Sequence, residues 1–337
     1  MIPRDLKMPM FLSREDLRDL LTMPEVIEAV EEGFVLYKKG LCTVPVRMPV
    51  KLEKSEGLFL FMPASVEEEG AFGTKIVSVF PKNPAVGLPT IDAVYLLNDP
   101  ATGRFLALMD GILLTSIRTG ATSAVATKHL ARKDASTLGI IGTGAQAAFQ
   151  AEGVCAVRPI ERVWAYDLDR ESARRFAAKA AGSLGIPVEV APSPREVVAA
   201  SDVLVTVTTS AEPVFDGRDL KPGTHINAVG TYNPEIREID DETVKRSRIV
   251  VDTYEGCLAE AGDLLIPMKA GVISRESIHA DLGEIILGLK PGRTGDDEIT
   301  LFESVGFALE DLKAALLAYE KARAQGVGLE LSLEGTP

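Results

Sequence analysis

Cysteine and histidine are scarce in this chain, and each scarcity closes off some chemistry. There are three of each in 337 residues. Cys42, Cys155 and Cys257 are scattered and odd in number, so they form no disulfide framework and fit a reducing compartment. His129, His225 and His279 stand far apart, and no metal-ligand spacing joins them to the cysteines. No metal site is expected. Long apolar runs are missing too: none approaches the roughly 20 residues that cross a bilayer. The start of the chain carries no apolar stretch with a cleavage site. A cytoplasmic protein with no membrane partner is therefore expected. Positive charge is outnumbered, with 36 Lys and Arg against 49 Asp and Glu, a net charge of −13. That balance argues against a nucleic-acid partner, because phosphate backbones attract basic faces. Repeats, low-complexity segments and long linkers are also lacking. With 46% hydrophobic and 25% charged residues, the composition is that of an ordinary globular protein, and the length suits two domains.

What is present is concentrated between Ser136 and Asp169. Leu138, Ile140 and Ile141 form a short apolar run of the kind found in buried parallel strands. Gly142-Thr143-Gly144-Ala145-Gln146-Ala147 follows at once and matches G-x-G-x-x-G/A. Gly142 allows the tight turn, Gly144 lets backbone approach a pyrophosphate, and Ala147 lets the helix pack close to the strand. The N–H groups and dipole of the helix start favour phosphate. A second strand, Val163 to Tyr166, ends at Asp167, which lies 23 positions after Gly144. A carboxylate at that point accepts hydrogen bonds from ribose hydroxyls and repels a 2′-phosphate. NAD is expected over NADP, with Arg170 nearby pulling the other way. Further strands at Val203 to Thr208, His225 to Val229 and Ile249 to Val251 alternate with helical segments at Glu171 to Leu184 and Pro194 to Ala200. The alternation predicts an α/β fold with a doubly wound, Rossmann-type sheet. The carboxyl ends of its strands, with Thr208, Thr209, Val229, Gly230 and Thr231, should line the cofactor crevice.

The residues before this fingerprint read differently. Thr22-x-x-Glu25 predicts a capping box with Pro24 in the first turn. Val26, Ile27, Val30, Phe34 and Tyr37 then recur at helical spacing up to Gly40. From Thr43 to Met109 the chain is strand-rich. Val44, Val46, Met48 and Val50 alternate, and strands are expected at Phe59 to Met62, Phe72 to Phe80, Ala93 to Leu97 and Phe105 to Met109. Asn98 to Gly103 reads as a hairpin connection. An α+β domain is implied. Its cations stand out: Arg47 in the alternating strand, Lys75 among apolar residues, and Arg118 in TSIRTG. Each alone is more often a solvated or structural charge than a functional one. Together they suit a substrate carboxylate, which guanidinium binds bidentately. Lys75 is suited to moving a proton if burial lowers its pKa. Glu303 to Tyr319 is expected to be an amphipathic helix with Val305, Leu309, Leu312 and Leu316 on one stripe. Asp281 and Glu284 read as solvated acids at a helix start, and Trp164 as core.

The segments GTKIVSVFPKNPAVGLPT, LLTSIRTGATSAVATKHLAR, IIGTGAQAAFQ, GTHINAVG and TLFESVGFALED occur in this order, and the chain resembles the ornithine cyclodeaminase/μ-crystallin family over nearly its whole length. That family includes archaeal alanine dehydrogenases and ketimine reductases as well as cyclodeaminases. The resemblance implies a homodimer. It also implies a substrate-binding and dimerisation domain made of residues 1–120 with 302–337, and a Rossmann NAD(P)-binding domain of residues 121–301. It implies that Arg47, Lys75 and Arg118 hold the substrate carboxylate. Around the cofactor it points to Gly142, Thr143, Gly144, Ala145, Gln146, Asp167, Arg170, Thr119, Thr208, Val229, Gly230 and Ser304. Two positions depart from the cyclodeaminase pattern. Tyr232 stands where those enzymes carry an aspartate, and is either a substitute hydrogen-bond donor or a surface turn residue. Leu60 stands where they carry a glutamate facing the distal amine of ornithine. An apolar wall there leaves that ammonium unpaired, which is expensive. The expected activity is an NAD(P)-dependent oxidoreductase acting at the α-carbon of a small amino acid, keto acid or imine. The alternatives are ring closure of ornithine or lysine with catalytic NAD, and a nucleotide-dependent ligand-binding protein of the crystallin kind.

Overall fold

The computed structural model describes residues 8–332. In chain order it runs β1 (Met10–Leu12), α1 (Arg14–Leu20), α2 (Met23–Lys38), β2 (Met48–Leu52), β3 (Gly57–Val66), β4 (Ala71–Val79), β5 (Ile91–Asn98), β6 (Phe105–Asp110) and α3 (Gly111–Leu130). It continues with β7 (Thr137–Ile141), α4 (Ala147–Val157), β8 (Arg162–Tyr166), α5 (Arg170–Leu184), β9 (Val188–Val190), α6 (Pro194–Ala200), β10 (Val203–Thr206) and β11 (His225–Ala228). The last part holds α7 (Asp241–Arg246), β12 (Ser247–Val251), α8 (Tyr254–Glu260), α9 (Gly262–Lys269), β13 (Ile278–Asp281), α10 (Leu282–Ile286), β14 (Ile299–Glu303), α11 (Ala308–Gln325) and β15 (Leu329–Glu330). The chain divides into two compact units, residues up to Arg118 with those from Ala308, and Thr119–Phe307 between them. Among the described residues no helix is long and apolar enough to cross a membrane.

The first unit is built on a mixed sheet in the order β15-β1-β6-β5-β4-β3-β2. The β2 to β6 meander is antiparallel, and β1 joins β6 in parallel. Register fixes which side chains share a face. Met62, Lys75 and Tyr95 are direct cross-strand partners, as are Leu60, Val77 and Ala93. This face is covered by α11, which also packs on α2. The opposite face carries the row Met48, Phe61, Ile76 and Val94, with Met48 57% and Val94 40% exposed. The alternating strand expected from Val44 begins only at Met48, so Arg47 precedes β2 rather than interrupting it. Pro45 accounts for the late start, since proline cannot donate to a ladder; Pro49 lies within β2, an edge strand exposed along its whole length, where proline is tolerated.

The second unit is an eight-stranded, wholly parallel sheet in the order β13-β12-β14-β11-β10-β7-β8-β9, with an apolar core on each face. It is the doubly wound Rossmann arrangement, and chain order reverses between β7 and β10, where such sheets bind ligands. One expected helix starts late. Glu303 closes strand β14, and α11 begins at Ala308. Ser304 to Gly306 turn instead, with Ser304 Oγ, Val305 N and Gly306 N all donating to Asp252 Oδ2 and Gly306 at φ +83°. Nor is α11 apolar on one stripe alone. Glu310, Asp311 and Lys313 are buried along with Leu309, Leu312 and Leu316. Asp281 is not solvated either: it is a buried N-cap that accepts from Glu284 N at 2.8 Å. Trp164 is partly buried against the core.

Candidate functional site

The second unit carries a glycine turn at the end of β7. Gly142 has φ +97°, and a Cβ on it would lie 2.6 Å from the Val207 carbonyl oxygen, so only glycine fits. Gly144 and Ala145 are exposed, and a Cβ on Gly144 would meet nothing within 4 Å. The turn is thus pinned on its protein side and open where a pyrophosphate would lie, while Ala147 is fully buried against the core. Asp167 locks the turn: its Oδ2 accepts from Thr143 N at 2.7 Å and from Thr143 Oγ1 at 2.9 Å. Asp169 N donates to the other oxygen at 2.9 Å. A carboxylate so fixed presents its remaining lone pairs in one direction, as ribose binding requires. The residues fit a dinucleotide. Gln146 is the N-cap of α4, and Thr119, in α3, is half-buried. Arg170 opens α5 and donates to the Pro192 carbonyl at 3.0 Å, an engagement that draws it toward the loop after β9.

Thr208, Val229 and Gly230 follow β10 and β11. Thr208 and Gly230 are held by Glu238, which sequence reasoning did not single out. Its Oε1 accepts from Thr208 N at 2.6 Å and its Oε2 from Gly230 N at 2.9 Å. Glu238 is itself seated by Asp263, whose Oδ1 accepts from Glu238 N and Ile239 N at 2.7 Å each. Burial pushes Glu238 up to about 7 and Asp263 up to about 6. Ser304 donates to Asp252 Oδ2 at 2.9 Å, and Val305 N and Gly306 N bind the same oxygen. Glu303 is fully buried, and among the described residues neither of its carboxyl oxygens has a hydrogen-bond partner. Burial, with Asp263, Glu238 and Asp252 around it, pushes its pKa well above the ordinary carboxylate range. Tyr232 lies 38% exposed in the loop after β11.

The first unit brings two of the three expected cations into direct ion pairs with the start of α11. Lys75 is almost wholly buried on β4, and its Nζ donates to both oxygens of Asp311 at 2.9 and 2.8 Å. Arg118, in α3, donates through Nε to Asp311 Oδ1 at 3.0 Å and through a terminal nitrogen to Glu310. Burial pushes Lys75 down to about 8; Asp311 opposes the shift, while Arg118 and Arg47 add to it. Burial works against the Arg118 guanidinium as well, but Asp311 and Glu310 outweigh it and hold its pKa above the ordinary value. Arg47 is half-buried just before β2. Leu60 and Met62 form the buried apolar neighbourhood of Lys75 on β3, and the Tyr95 hydroxyl beside it on β5 is buried with no hydrogen-bond partner among the described residues. Asp311 and Glu310 lie in the segment TLFESVGFALED, but no local spacing marks them as counterions. Their partners are about two hundred positions away, and only the fold joins them.

Solved and curated proteins share this architecture. A Delta(1)-pyrroline-2-carboxylate reductase of Thermococcus litoralis, in complex with NADH and L-proline, is 49% identical with a TM-score of 0.93, over 96% of this chain and 100% of that one. An archaeal alanine dehydrogenase dimer with bound NAD is 41% identical with a TM-score of 0.90, over 96% and 99%. A Delta(1)-pyrroline-2-carboxylate reductase of Bacillus cereus is 42% identical over 318 residues, 94% of this chain and 98% of the relative. Residues 7–326 match the family model, and the chain belongs to the ornithine cyclodeaminase/mu-crystallin family.

Proposed function

We propose that the protein is an NAD(P)-dependent oxidoreductase acting at the α-carbon of a small amino acid or its imine, with a cyclic imine of the pyrroline-2-carboxylate kind as the favoured substrate. The observation that carries the reading is the buried pair Lys75 and Arg118, beside the apolar side chains Leu60 and Met62, in a chain that also carries a complete dinucleotide turn. Arg118, Lys75 and Arg47 bind and orient the substrate carboxylate. Guanidinium and ammonium together fix its plane, and orientation of this kind supplies much of the acceleration in a hydride transfer. Leu60 and Met62 accept the hydrocarbon part of the substrate and exclude water. Lys75, with a pKa of about 8, is poised to give a proton to the substrate nitrogen near neutral pH. The bound cofactor supplies the hydride. Gly142, Thr143, Gly144, Ala145 and Gln146 hold its pyrophosphate, Asp167 its ribose, and Thr119, Thr208, Val229, Gly230 and Ser304 the remainder. Asp167 favours NAD over NADP.

Ornithine ring closure is disfavoured by the same residues. Leu60 offers no partner to a distal ammonium, and Tyr232 offers no carboxylate to the α-amine. Residues 1–120 and 302–337 are read as the substrate and dimerisation domain, and 121–301 as the cofactor domain. The outer row Met48, Phe61, Ile76 and Val94 suits a second copy of the chain, in keeping with the alanine dehydrogenase dimer. The three free cysteines suit a cytoplasmic setting. The test is absorbance at 340 nm with NADH and a panel of Δ1-pyrroline-2-carboxylate, its six-membered homologue, and pyruvate with ammonia. Loss of NADH with a cyclic imine supports the proposal. An unchanged trace across the panel, or proline and ammonia formed from ornithine without net NADH, refutes it.

A further inference from the structure

We propose that Asp311 is a positioning residue for this reaction: it couples the Lys75 ammonium and the Arg118 guanidinium into one rigid cationic unit aimed at the substrate carboxylate. The inference rests on the functional reading above and adds to it a residue that touches no substrate. Both Asp311 oxygens are used. Oδ2 takes Lys75 Nζ at 2.8 Å, and Oδ1 is shared between Lys75 Nζ at 2.9 Å and Arg118 Nε at 3.0 Å. The Asp311 side chain is fully buried, and those of Lys75 and Arg118 are 2% and 6% exposed. An ammonium on a four-carbon stem does not hold one direction by itself. Two cations this close repel each other unless an anion stands between them. Asp311 lies in the first turn of an eighteen-residue helix, where the dipole favours a carboxylate.

The other groups facing Lys75 do not substitute for it. Glu310 of the same helix pairs with Arg118, and Lys313 is turned to Glu32 and Glu69. Arg118 from α3 and Arg47 from the segment before β2 both act against the ammonium. From β5 comes the Tyr95 hydroxyl, and from β3 only apolar Met62 and Leu60. Asp311 is therefore the carboxylate in direct contact with Lys75. A counterion needed only for folding would affect stability alone. A positioning residue also sets the affinity for the substrate carboxylate and the pH at which Lys75 loses its proton.

The experiment compares the wild type with Asp311→Asn and Asp311→Glu in the NAD-loaded protein. Initial rates with NADH and Δ1-pyrroline-2-carboxylate are taken from pH 6 to 10. Calorimetry measures binding of pyrrole-2-carboxylate, a planar carboxylate with no reducible C=N bond. For Asp311→Asn, KM and the calorimetric Kd rise about tenfold or more. The alkaline limb of kcat/KM moves acidward by roughly one unit, because the anion that raised the Lys75 pKa is gone. Asp311→Glu keeps the charge, so the limb stays in place while Kd rises several-fold. The proposal is overturned if folded Asp311→Asn keeps both the limb and Kd within twofold of wild type and loses only melting temperature. Should Asp311→Asn not fold, Asp311→Glu decides, and a Kd equal to wild type overturns the proposal. A wild type that turns over no imine counts against the functional reading, while the calorimetric comparison still decides the role of Asp311.

Discussion

At the scale of single residues, the account turns on charge placed where water is absent. Lys75 carries an ammonium with a 2% exposed side chain on a strand whose neighbours are Met62 and Tyr95. Lys75→Met fits the volume but removes the charge and leaves Asp311 paired with Arg118 alone. A fall in kcat/KM of about 10²–10⁴ is expected, the usual range for a lost proton donor, with the dissociation constant of NADH unchanged. Fluorescence titration of NADH beside steady-state rates checks both. Asp167 is the proposed ribose ligand of the cofactor. Asp167→Ser removes the carboxylate that repels a 2′-phosphate, so the NADPH:NADH ratio of kcat/KM should rise about tenfold or more. An unaltered ratio would mean that Asp167 only braces the turn through Thr143. At this scale the sequence was partly legible. Gly142, Gly144, Ala147 and Asp167 could be found because the turn demands those residue types at short spacing. Asp311 could not, since its partner Lys75 is 236 positions away and neither residue's neighbours announce the pairing. Glu238 was hidden for a like reason. Its 30-residue separation from Thr208 closes only when β10 and β11 pair.

At the scale of elements, strands are tied together at their carboxyl ends by buried acids. Glu238 links the ends of β10 and β11, and Asp263 seats Glu238. Burial raises Glu238 to about 7 and Asp263 to about 6. A carboxyl whose folded pKa is raised binds its proton more tightly in the folded chain than in the unfolded one. Its favourable contribution is present at low pH and is lost as pH rises from the unfolded value, near 4.5, through the folded one. Melting temperature should therefore decline between pH 5 and 8 by several degrees. In Glu238→Gln this slope should be shallower, whatever the absolute stability, because one of the titrating groups is gone. Differential scanning fluorimetry across that pH range reads the slope, and identical slopes would remove Glu238 from the account. Elements with one strong signal, such as α2 with its Thr22–Glu25 capping box, were readable from composition and spacing. The start of α11 was not, because the turn at Ser304 to Gly306 is fixed by Asp252, more than fifty positions away. Arg47 was misplaced because the ladder that the alternation suggested starts only after Pro45, at Met48.

For the whole molecule, the proposed pairing of two chains rests on an apolar sheet face. The row Met48, Phe61, Ile76 and Val94 crosses four strands of the first unit, and its outer members are exposed. Such a face is costly to leave in water and suits burial against a second copy. The double variant Met48→Glu with Val94→Glu should convert the protein from two chains to one in multi-angle light scattering, while far-ultraviolet circular dichroism stays unchanged. A wild type already monomeric at micromolar concentration would contradict this. The division of labour between the units is the larger claim. The proposed function assigns the cations of one unit and the dinucleotide turn of the other to a single substrate. The most direct measurement is a crystal structure of the protein with NADH and pyrrole-2-carboxylate. The account predicts the ligand carboxylate within about 3 Å of Arg118 and Lys75, and the ring carbon that bears it about 3.5 Å from nicotinamide C4. A ligand bound with its carboxylate away from both cations, or with the nicotinamide ring out of reach of that carbon, would contradict it.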